Sequence, residues 1–138
     1  MATTMINCHC GSVKIRLTGE PVAQLYCHCH DCQRIAGGAY VPYAIFPSEA
    51  VEVTEGKTFT WALKTNPRTR CDNCGTLLFG QPVGMGVRGI VGHLMPAGSF
   101  NAQFHIVCQE AVNPVVDKLP HFKGFPAAFG GSDDQVAW

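Results

Sequence analysis

The chain has 138 residues and carries ten basic and ten acidic side chains, which give a formal net charge of zero. A neutral chain lacks the basic surface that attracts nucleic acids and anionic lipids, so we expect neither a nucleic acid nor a membrane as a partner. The length fits a single domain, which we predict over residues 1–138.

The N-terminal residues favour a cytoplasmic protein. Residues 1–8 have neither the basic nor the apolar segment of a secretory signal. No apolar run approaches the roughly 20 residues that a membrane helix needs. Stable disulfides are rare in a reducing compartment, so the eight cysteines of the chain require another explanation.

Short β-strands separated by turn residues dominate the predicted secondary structure. Residues 13–17 alternate between apolar and polar side chains, which is typical of a half-buried strand. Further strands are predicted, in chain order, at residues 22–26, 40–46, 51–54, 58–63, 76–79, 87–91 and 104–108. Pro42 predicts that the third strand lies at a sheet edge or a bulge, and Gly56 predicts a hairpin between the fourth and the fifth.

Helical signals are few. Residues 31–36 predict a short helix that begins at a group of cysteines and stops at Gly37. Residues 101–104 predict one more helical turn. The pattern therefore predicts a mainly β protein with one or two short helical turns.

Seven of the eight cysteines fall into three tight groups. The groups are Cys8-x-Cys10-Gly11, Cys27-x-Cys29-x-x-Cys32 and Cys71-x-x-Cys74-Gly75. A tight turn brings two sulfur atoms to one side of a loop, and the glycine after it allows a positive φ. Because zinc binds four thiolates tetrahedrally, the first and third groups predict one four-cysteine zinc site.

Other uses of these cysteines are possible on spacing alone. Free cysteines often serve as small buried apolar residues, and an isolated C-x-x-C pair can be redox-active. Disulfides would require an oxidising compartment. Iron–sulfur clusters also take four cysteines, but the chain has none of their closely spaced four-cysteine runs. Three clustered motifs in a neutral chain favour zinc over all four.

The middle group supplies three sulfur atoms and has no obvious fourth ligand. Three protein ligands with an open position are typical of a catalytic zinc, whereas closed four-ligand sites are structural. We expect His28 and His30, which lie between these ligands, to point away from the metal. Cys108 stands alone among apolar residues and predicts a buried core position.

Several segments of the chain carry a family resemblance. They are C-x-C-G-x-V-x-[IY] at residues 8–15, Cys-His-Cys-x-x-Cys at 27–32, Arg34-x-x-Gly37, the cysteine block at 71–79, and residues 105–106 and 119–126. In this order they resemble the glutathione-dependent formaldehyde-activating family, which includes the centromere-protein-V-like proteins. The resemblance implies a domain core over about residues 6–126. The chain lacks a basic N-terminal extension, so no centromeric role is expected.

The resemblance implies both a fold and an activity. The implied fold is Mss4-like, built of small, strongly coiled antiparallel sheets. Cys8, Cys10, Cys71 and Cys74 would hold a structural zinc, and Cys27, Cys29 and Cys32 a second, catalytic one. The implied reaction condenses formaldehyde with glutathione to S-hydroxymethylglutathione, a carbon–sulfur lyase reaction run backwards.

The residue types also suggest how such a site would work. We expect a small thiol such as glutathione to take the open position as a reactive thiolate and to add to an aldehyde. Arg34 is the sequence candidate for a positive charge beside it, whereas Arg68 and Arg70 are expected on the surface. Aromatic residues could line a pocket or fill the core: Tyr40, Tyr43 and Phe46.

Two other functions remain open from the sequence. A non-catalytic zinc module for a small thiol or a protein partner would require a fourth protein ligand, such as His28, His30 or Cys108. A thiol redox protein would require the middle cysteines to cycle between disulfide and thiol.

Overall fold

The computed structural model describes all 138 residues and contains ten strands and one α-helix. The strands are β1 (Thr3–Asn7), β2 (Lys14–Thr18), β3 (Ala23–Cys27), β4 (Val41–Pro47), β5 (Val51–Glu55), β6 (Thr58–Trp61), β7 (Arg68–Cys71), β8 (Leu77–Gly80), β9 (Val87–Val91) and β10 (Phe104–Ile106). The helix α1 spans His30–Ala36, and short 3₁₀ helices span Ser48–Ala50, Gly92–Leu94, Cys108–Glu110 and Ala127–Phe129. The predicted mainly β class is confirmed.

The strands form two sheets of unequal size. The smaller sheet has the order β1-β2-β5 and is antiparallel throughout. The larger sheet has seven strands in the order β10-β3-β4-β9-β8-β7-β6. All its pairs are antiparallel except β10 with β3, which run parallel.

Strand β4 divides the apolar core in two. Because side chains alternate across a strand, Ala44 and Phe46 pack into a cluster with the buried residues of β2, while Tyr43 and Ile45 pack into a second cluster on the other face. Each cluster also takes up one set of cysteines. Cys8 and Cys71 belong to the first cluster, and Cys27 and Cys32 to the second.

The expectation that β4 is an edge strand is wrong. The strand lies inside the larger sheet, between β3 and β9. Pro42 is tolerated there because it pairs with Tyr26 of β3, whereas the ladder with β9 begins one residue later, at Tyr43. Pro42 therefore occupies a position that is paired with a neighbouring strand on one side only.

The predicted hairpin at Gly56 is also wrong. Strand β5 pairs with β2 in the smaller sheet, and β6 pairs with β7 in the larger one. Gly56 has a φ of 90°, and a Cβ there would collide with the carbonyl oxygen of Ser12. Glycine is thus required because the chain changes sheets against the backbone of the first cysteine loop.

Helix α1 begins within the middle cysteine group. The sulfur of Cys29 accepts a hydrogen bond from the backbone N–H of Cys32 at 3.1 Å and so caps the helix. The helix ends at Gly37, which is left-handed with a φ of 70°. The predicted turn at residues 101–104 does not form, since strand β10 starts at Phe104. No helix has the length and hydrophobicity to cross a membrane.

Candidate metal centres

Four cysteines from two loops converge at the end of the smaller sheet. Cys8 and Cys10 follow β1, and Cys71 and Cys74 lie at the turn between β7 and β8. Their sulfur atoms all lie within 4.8 Å of one another. The Cys8–Cys10 distance is 3.5 Å and the Cys10–Cys71 distance is 3.9 Å. The structure thus brings together the first and third groups of the sequence.

The two loops have the same local geometry. The N–H of Gly11 donates to the carbonyl of Cys8, and the N–H of Gly75 donates to that of Cys71, both at 3.0 Å. Both glycines are left-handed, with φ values of 83° and 78°. Each glycine therefore closes a turn that an L-residue would strain.

The surroundings of this group favour thiolates. Hydrogen bonds from Ser12 and Asn73 lower the pKa of Cys10 to about 5, and the backbone N–H of Cys74 lowers the pKa of Cys71 to about 7. Burial raises the pKa of Cys8, although Val13 N–H donates to its sulfur at 3.3 Å. A cation bound between the sulfur atoms would compensate the cost of burying that thiolate.

The second group lies within six consecutive residues. Cys27 is the last residue of β3, Cys29 caps α1, and Cys32 lies in its first turn. Their three sulfur atoms also lie within 4.8 Å of one another, and no fourth residue joins them. Thiol hydrogen bonds from Cys27 and Cys32 lower the pKa of Cys29 to about 2, whereas the pKa of Cys27 is raised by its bond to Cys29. Without metal, two thiol protons thus stabilise one thiolate, and a metal ion can replace those protons.

A cavity of about 640 Å³ opens beside the three cysteines. Its other walls are largely apolar and come from both the larger sheet and the C-terminal segment, including Leu25, Ile45, Ile106, Phe125 and Phe129. A more open groove of about 1010 Å³ runs past Cys8 and Cys74. The groove is larger, but Cys8 and Cys74 belong to a group that already has four thiol ligands. The cavity, in contrast, borders an incomplete ligand set.

Arg68 is the charged side chain closest to the three cysteines. It is only 5% exposed, and its Nη2 donates to the sulfur of Cys32 at 3.3 Å. Nη1 donates to the carbonyl of Asn66 at 2.8 Å and lies 3.9 Å from Asp31. The buried hydroxyl of Tyr43 lines the same cavity. The expectation that Arg68 is a surface residue is therefore wrong.

Comparison with known proteins identifies the family. The family model described as glutathione-dependent formaldehyde-activating enzyme matches residues 3–115. The chain belongs to this family. All seven clustered cysteines lie within the matched residues. The family resemblance of the sequence motifs is therefore confirmed. The fold is that of a small β protein of the Mss4-like type.

A solved structure supports the fold of this family member. A crystal structure of a Rhodobacter sphaeroides protein superposes with a TM-score of 0.53 at 20% sequence identity. The match covers 68% of this chain and 89% of the other. No curated protein matches the chain.

The other arginines of the sequence analysis take unexpected positions. Arg34, the predicted positive charge, is exposed in the last turn of α1 and makes no contact with the cysteines. Arg70, expected on the surface, is half-buried and donates to the carbonyls of Gly75 and Ile35. It therefore links the turn of the four-cysteine group to the helix of the three-cysteine group.

The aromatic residues divide between the two faces of β4. Phe46 fills the core between the sheets and is 1% exposed. Tyr43 lines the cavity, and Tyr40 lines the groove. Of the three, only Tyr43 reaches the cavity beside the three cysteines.

A chain of side chains runs away from the three-cysteine loop. His28 Nε2 lies 2.8 Å from Nδ1 of His105, whose Nε2 lies 2.8 Å from the carboxylate of Asp117. His121 contacts the other oxygen of Asp117 at 2.8 Å, and the ring of Trp138 covers this group. Each of these close contacts is a hydrogen bond between a donor and an acceptor, so no metal ion is required to explain why these side chains lie together. It anchors the loop between Cys27 and Cys29 to the C-terminal segment.

The remaining candidates for a fourth ligand point elsewhere. His30 is exposed, and its backbone N–H and ring contact Glu110. Cys108 is buried, as expected, but it lies beyond the end of β10 in a 3₁₀ helix. Burial raises its pKa to about 12, so it stays a thiol at neutral pH. The three-cysteine group therefore stays open toward the cavity.

Proposed function

We propose that this protein is a zinc-dependent carbon–sulfur lyase or synthase that joins glutathione to formaldehyde to give S-hydroxymethylglutathione. Cys27, Cys29 and Cys32 would be its catalytic zinc ligands. The observation that carries the proposal is an incomplete set of three thiol ligands in the wall of a largely apolar cavity. Membership of the glutathione-dependent formaldehyde-activating family supports the substrate pair.

Zinc is the metal that best suits both donor sets. With zinc–sulfur bonds of about 2.3 Å, a tetrahedral site places its sulfur atoms about 3.8 Å apart. The distances of 3.5 and 3.9 Å in the four-cysteine group bracket this value. Soft thiolates also select zinc over magnesium or calcium. We assign Cys8, Cys10, Cys71 and Cys74 to a structural zinc that joins the two sheets.

The proposed reaction is an addition without any oxidant. The sulfur of the substrate thiol forms a bond to the carbonyl carbon, and the carbon–oxygen double bond becomes single. The thiol proton is lost to solvent, and the oxygen takes one up. When bound, zinc would keep the substrate thiol ionised near neutral pH, where a free thiol is mostly protonated.

The cavity supplies binding and exclusion of water. Its volume of about 640 Å³ lies within the range of about 300–1,000 Å³ that small-molecule sites occupy. Its apolar walls leave the polar recognition to a few residues, chiefly Arg68, Asn66 and Gln81. A tripeptide thiol can therefore bind with its sulfur against Cys27, Cys29 and Cys32.

The test is the exchange of glutathione with its hydroxymethyl adduct, measured by two-dimensional NMR in formaldehyde. Zinc-loaded protein should exchange the two species well above the spontaneous rate. Cys29→Ser should abolish this acceleration and lower the bound zinc from two equivalents to one. Cys108→Ala is the matched control, because it removes a buried cysteine outside both groups.

Two outcomes would contradict the proposal. Exchange at the spontaneous rate with both zinc ions bound would exclude this substrate pair and favour a non-catalytic zinc module. Full activity in Cys29→Ser would remove the three-cysteine group from catalysis.

A further inference from the structure

The wall of the cavity beside the three cysteines is mostly apolar. Four strands of the larger sheet contribute Leu25, Ile45, Val87 and Ile106, and the C-terminal segment contributes Phe129. All five side chains are buried or half-buried. A wall of this kind favours an apolar ligand, because removing apolar surface from water stabilises the complex.

The same wall offers few charges to a ligand. Apart from the cysteines, Arg68 is the only charged side chain that lines the cavity, and it already contacts the sulfur of Cys32 and the carbonyl of Asn66. Glutathione carries two carboxylates and one ammonium group. One guanidinium cannot pair with both carboxylates, and no acidic side chain lines the cavity to match the ammonium. Because an unpaired charge is costly to bury, the charged ends of glutathione must remain at the mouth, in solvent.

The cavity is also much larger than the smallest aldehyde requires. Formaldehyde has one carbon and one oxygen atom, whereas a volume of about 640 Å³ is typical of a site for a drug-sized ligand. With the charged ends of the thiol at the mouth, most of the apolar interior is left for another part of the adduct. Formaldehyde has no apolar group that could fill this space.

Exposed apolar side chains surround the mouth of the cavity. Val83 and Met85, on the loop between β8 and β9, are 73% and 44% exposed, and Phe125 of the C-terminal segment is 40% exposed. All three line the cavity and also face solvent. The apolar surface therefore continues from the interior to the outside, which is typical of a site that binds an apolar ligand.

We propose that the cavity binds a hydrocarbon group of the thiol–aldehyde adduct, so that the substrates of this chain are hemithioacetals with an alkyl or aryl group. This inference rests on the addition reaction proposed above. The sulfur–carbon bond forms, the carbon–oxygen double bond becomes single, the thiol loses a proton and the oxygen gains one. Either the aldehyde or the thiol can carry the hydrocarbon group, and the experiment has one arm for each.

The first arm keeps glutathione and varies the aldehyde in the NMR exchange assay. Acetaldehyde, butanal and hexanal share the same carbonyl chemistry and differ in chain length. Because one buried methylene contributes about fourfold to affinity, we expect kcat/KM, corrected for spontaneous exchange, to rise at least tenfold from acetaldehyde to hexanal. The second arm keeps formaldehyde and compares ethanethiol with butanethiol. A rise in the first arm assigns the hydrocarbon group to the aldehyde, a rise in the second arm alone assigns it to the thiol, and no rise in either overturns the proposal.

Matched variants test the wall itself. Phe125→Asp and Met85→Asp place a carboxylate at the mouth, and we expect each to reduce the preference for the longer chain at least fivefold, with two equivalents of zinc retained. Phe59 and Met5 are similarly exposed, at 41% and 54%, but neither lines the cavity. Phe59→Asp and Met5→Asp should therefore keep the parental preference. An unchanged preference in both mouth variants, or an equal loss in the two controls, would overturn the proposal.

A binding measurement does not depend on turnover. 1-Hexanol has the hydrocarbon chain without a thiol or a carbonyl, and its binding to the zinc-loaded protein can be followed by saturation-transfer NMR. We expect Phe125→Asp to weaken this binding at least fivefold and Phe59→Asp to leave it unchanged.

The two proposals fail separately. Accelerated exchange with formaldehyde but no dependence on chain length would overturn the hydrocarbon group and leave the proposed function intact. Exchange of the formaldehyde adduct at the spontaneous rate would overturn the proposed function, and 1-hexanol would then decide the ligand class of the cavity. Binding that Phe125→Asp weakens would support an apolar ligand, and absence of binding would exclude it.

Discussion

The two cysteine groups use the same side chain in different arrangements, one with a complete ligand set and one with an incomplete set. The four-cysteine group joins two loops that are at least 61 residues apart in sequence, the separation of Cys10 and Cys71, and it has all four ligands. The three-cysteine group lies on one short segment, from Cys27 to Cys32, and is incomplete beside a cavity. Ligands gathered from distant strands stabilise a fold, whereas ligands from one segment leave a direction free for substrate.

Their electrostatic surroundings differ in the same sense. Backbone N–H groups and the hydroxyl of Ser12 contact the sulfur atoms of the four-cysteine group. A buried guanidinium, that of Arg68, contacts the three-cysteine group. Backbone and hydroxyl dipoles are sufficient to stabilise thiolates around a metal ion that is permanently enclosed. A full positive charge is useful where a further anion must bind beside the thiolates.

The largest effect should come from breaking the four-cysteine group. Cys71 is fully buried between the sheets, so Cys71→Ser should remove the zinc and several kcal/mol of the about 5–15 kcal/mol that hold such a domain together. Thermal unfolding followed by circular dichroism measures this loss. Cys29→Ser should leave the unfolding temperature within a few degrees of the parent, and an equal loss in both variants would erase the distinction.

The next effect concerns the side chains that hold the three-cysteine loop. Asp117→Asn should lower the free energy of unfolding by about 1–3 kcal/mol, because it breaks charge-assisted hydrogen bonds to His105 and His121. Denaturant unfolding at pH 7 measures the loss, and Asp133→Asn on the exposed C-terminal segment serves as a comparison.

The pH dependence of Asp117→Asn follows from the lowered pKa of that carboxyl. Partial burial is the largest single influence on the pKa of Asp117 and raises it, but the hydrogen bonds from His105, the backbone N–H of Leu119 and His121 together outweigh burial, so the pKa lies below its ordinary value of 3.8. A lowered folded-state pKa gives stability that is present above 3.8 and is lost as the pH falls through the lowered value. The loss in Asp117→Asn should therefore be the same at pH 7 and pH 8. A loss that vanishes by pH 8 would assign the effect to a histidine charge.

A chelator should remove the two zinc ions one after the other. A chelator should take the zinc of the three-cysteine group first, because its open position admits a competing ligand. Exchange activity would be lost with a change in unfolding free energy of less than about 1 kcal/mol, and removal of the second equivalent would unfold the chain. Zinc release and circular dichroism, recorded together, measure this sequence. Simultaneous release of both ions would contradict it.

The smallest effect should come from Arg34. The side chain is exposed and contacts neither cysteine group, so Arg34→Ala should leave kcat within about twofold of the parent and stability within about 0.5 kcal/mol. The exchange assay compares it directly with Arg68→Met, which removes the charge that contacts Cys32. If Arg34→Ala lost as much activity as Arg68→Met, the positive charge of the site would have been assigned to the wrong arginine.

Local patterns were enough to predict much of this molecule. The spacing within each cysteine group, the alternation in β2 and the glycine that ends α1 are all encoded over a few residues. Strand β9 was predicted with its observed ends at Val87 and Val91. Strand β1 was missed because its two apolar residues, Met5 and Ile6, are adjacent, so the sequence shows no apolar–polar alternation even though the burial of the strand alternates.

Contacts between distant residues were not readable in the same way. Arg68 precedes the third cysteine group and resembles a surface arginine until the fold places Cys32 beside it, 36 residues away in sequence. His28 and His105 are separated by 77 residues. The hairpin at Gly56 was predicted from a local turn signal, but β5 pairs with β2, where its apolar residues Val51 and Val53 pack into the core cluster between the sheets.

Strand β4 has one further consequence, for tolerance of insertions and deletions. Its alternating side chains supply both apolar clusters, and a shift of one residue exchanges the two faces of a strand. A single deletion within Val41–Pro47 would thus turn Tyr43 toward the smaller sheet and Ala44 toward the cavity. Length variation among related sequences should therefore be absent from this strand and should collect instead in loops that touch one face alone.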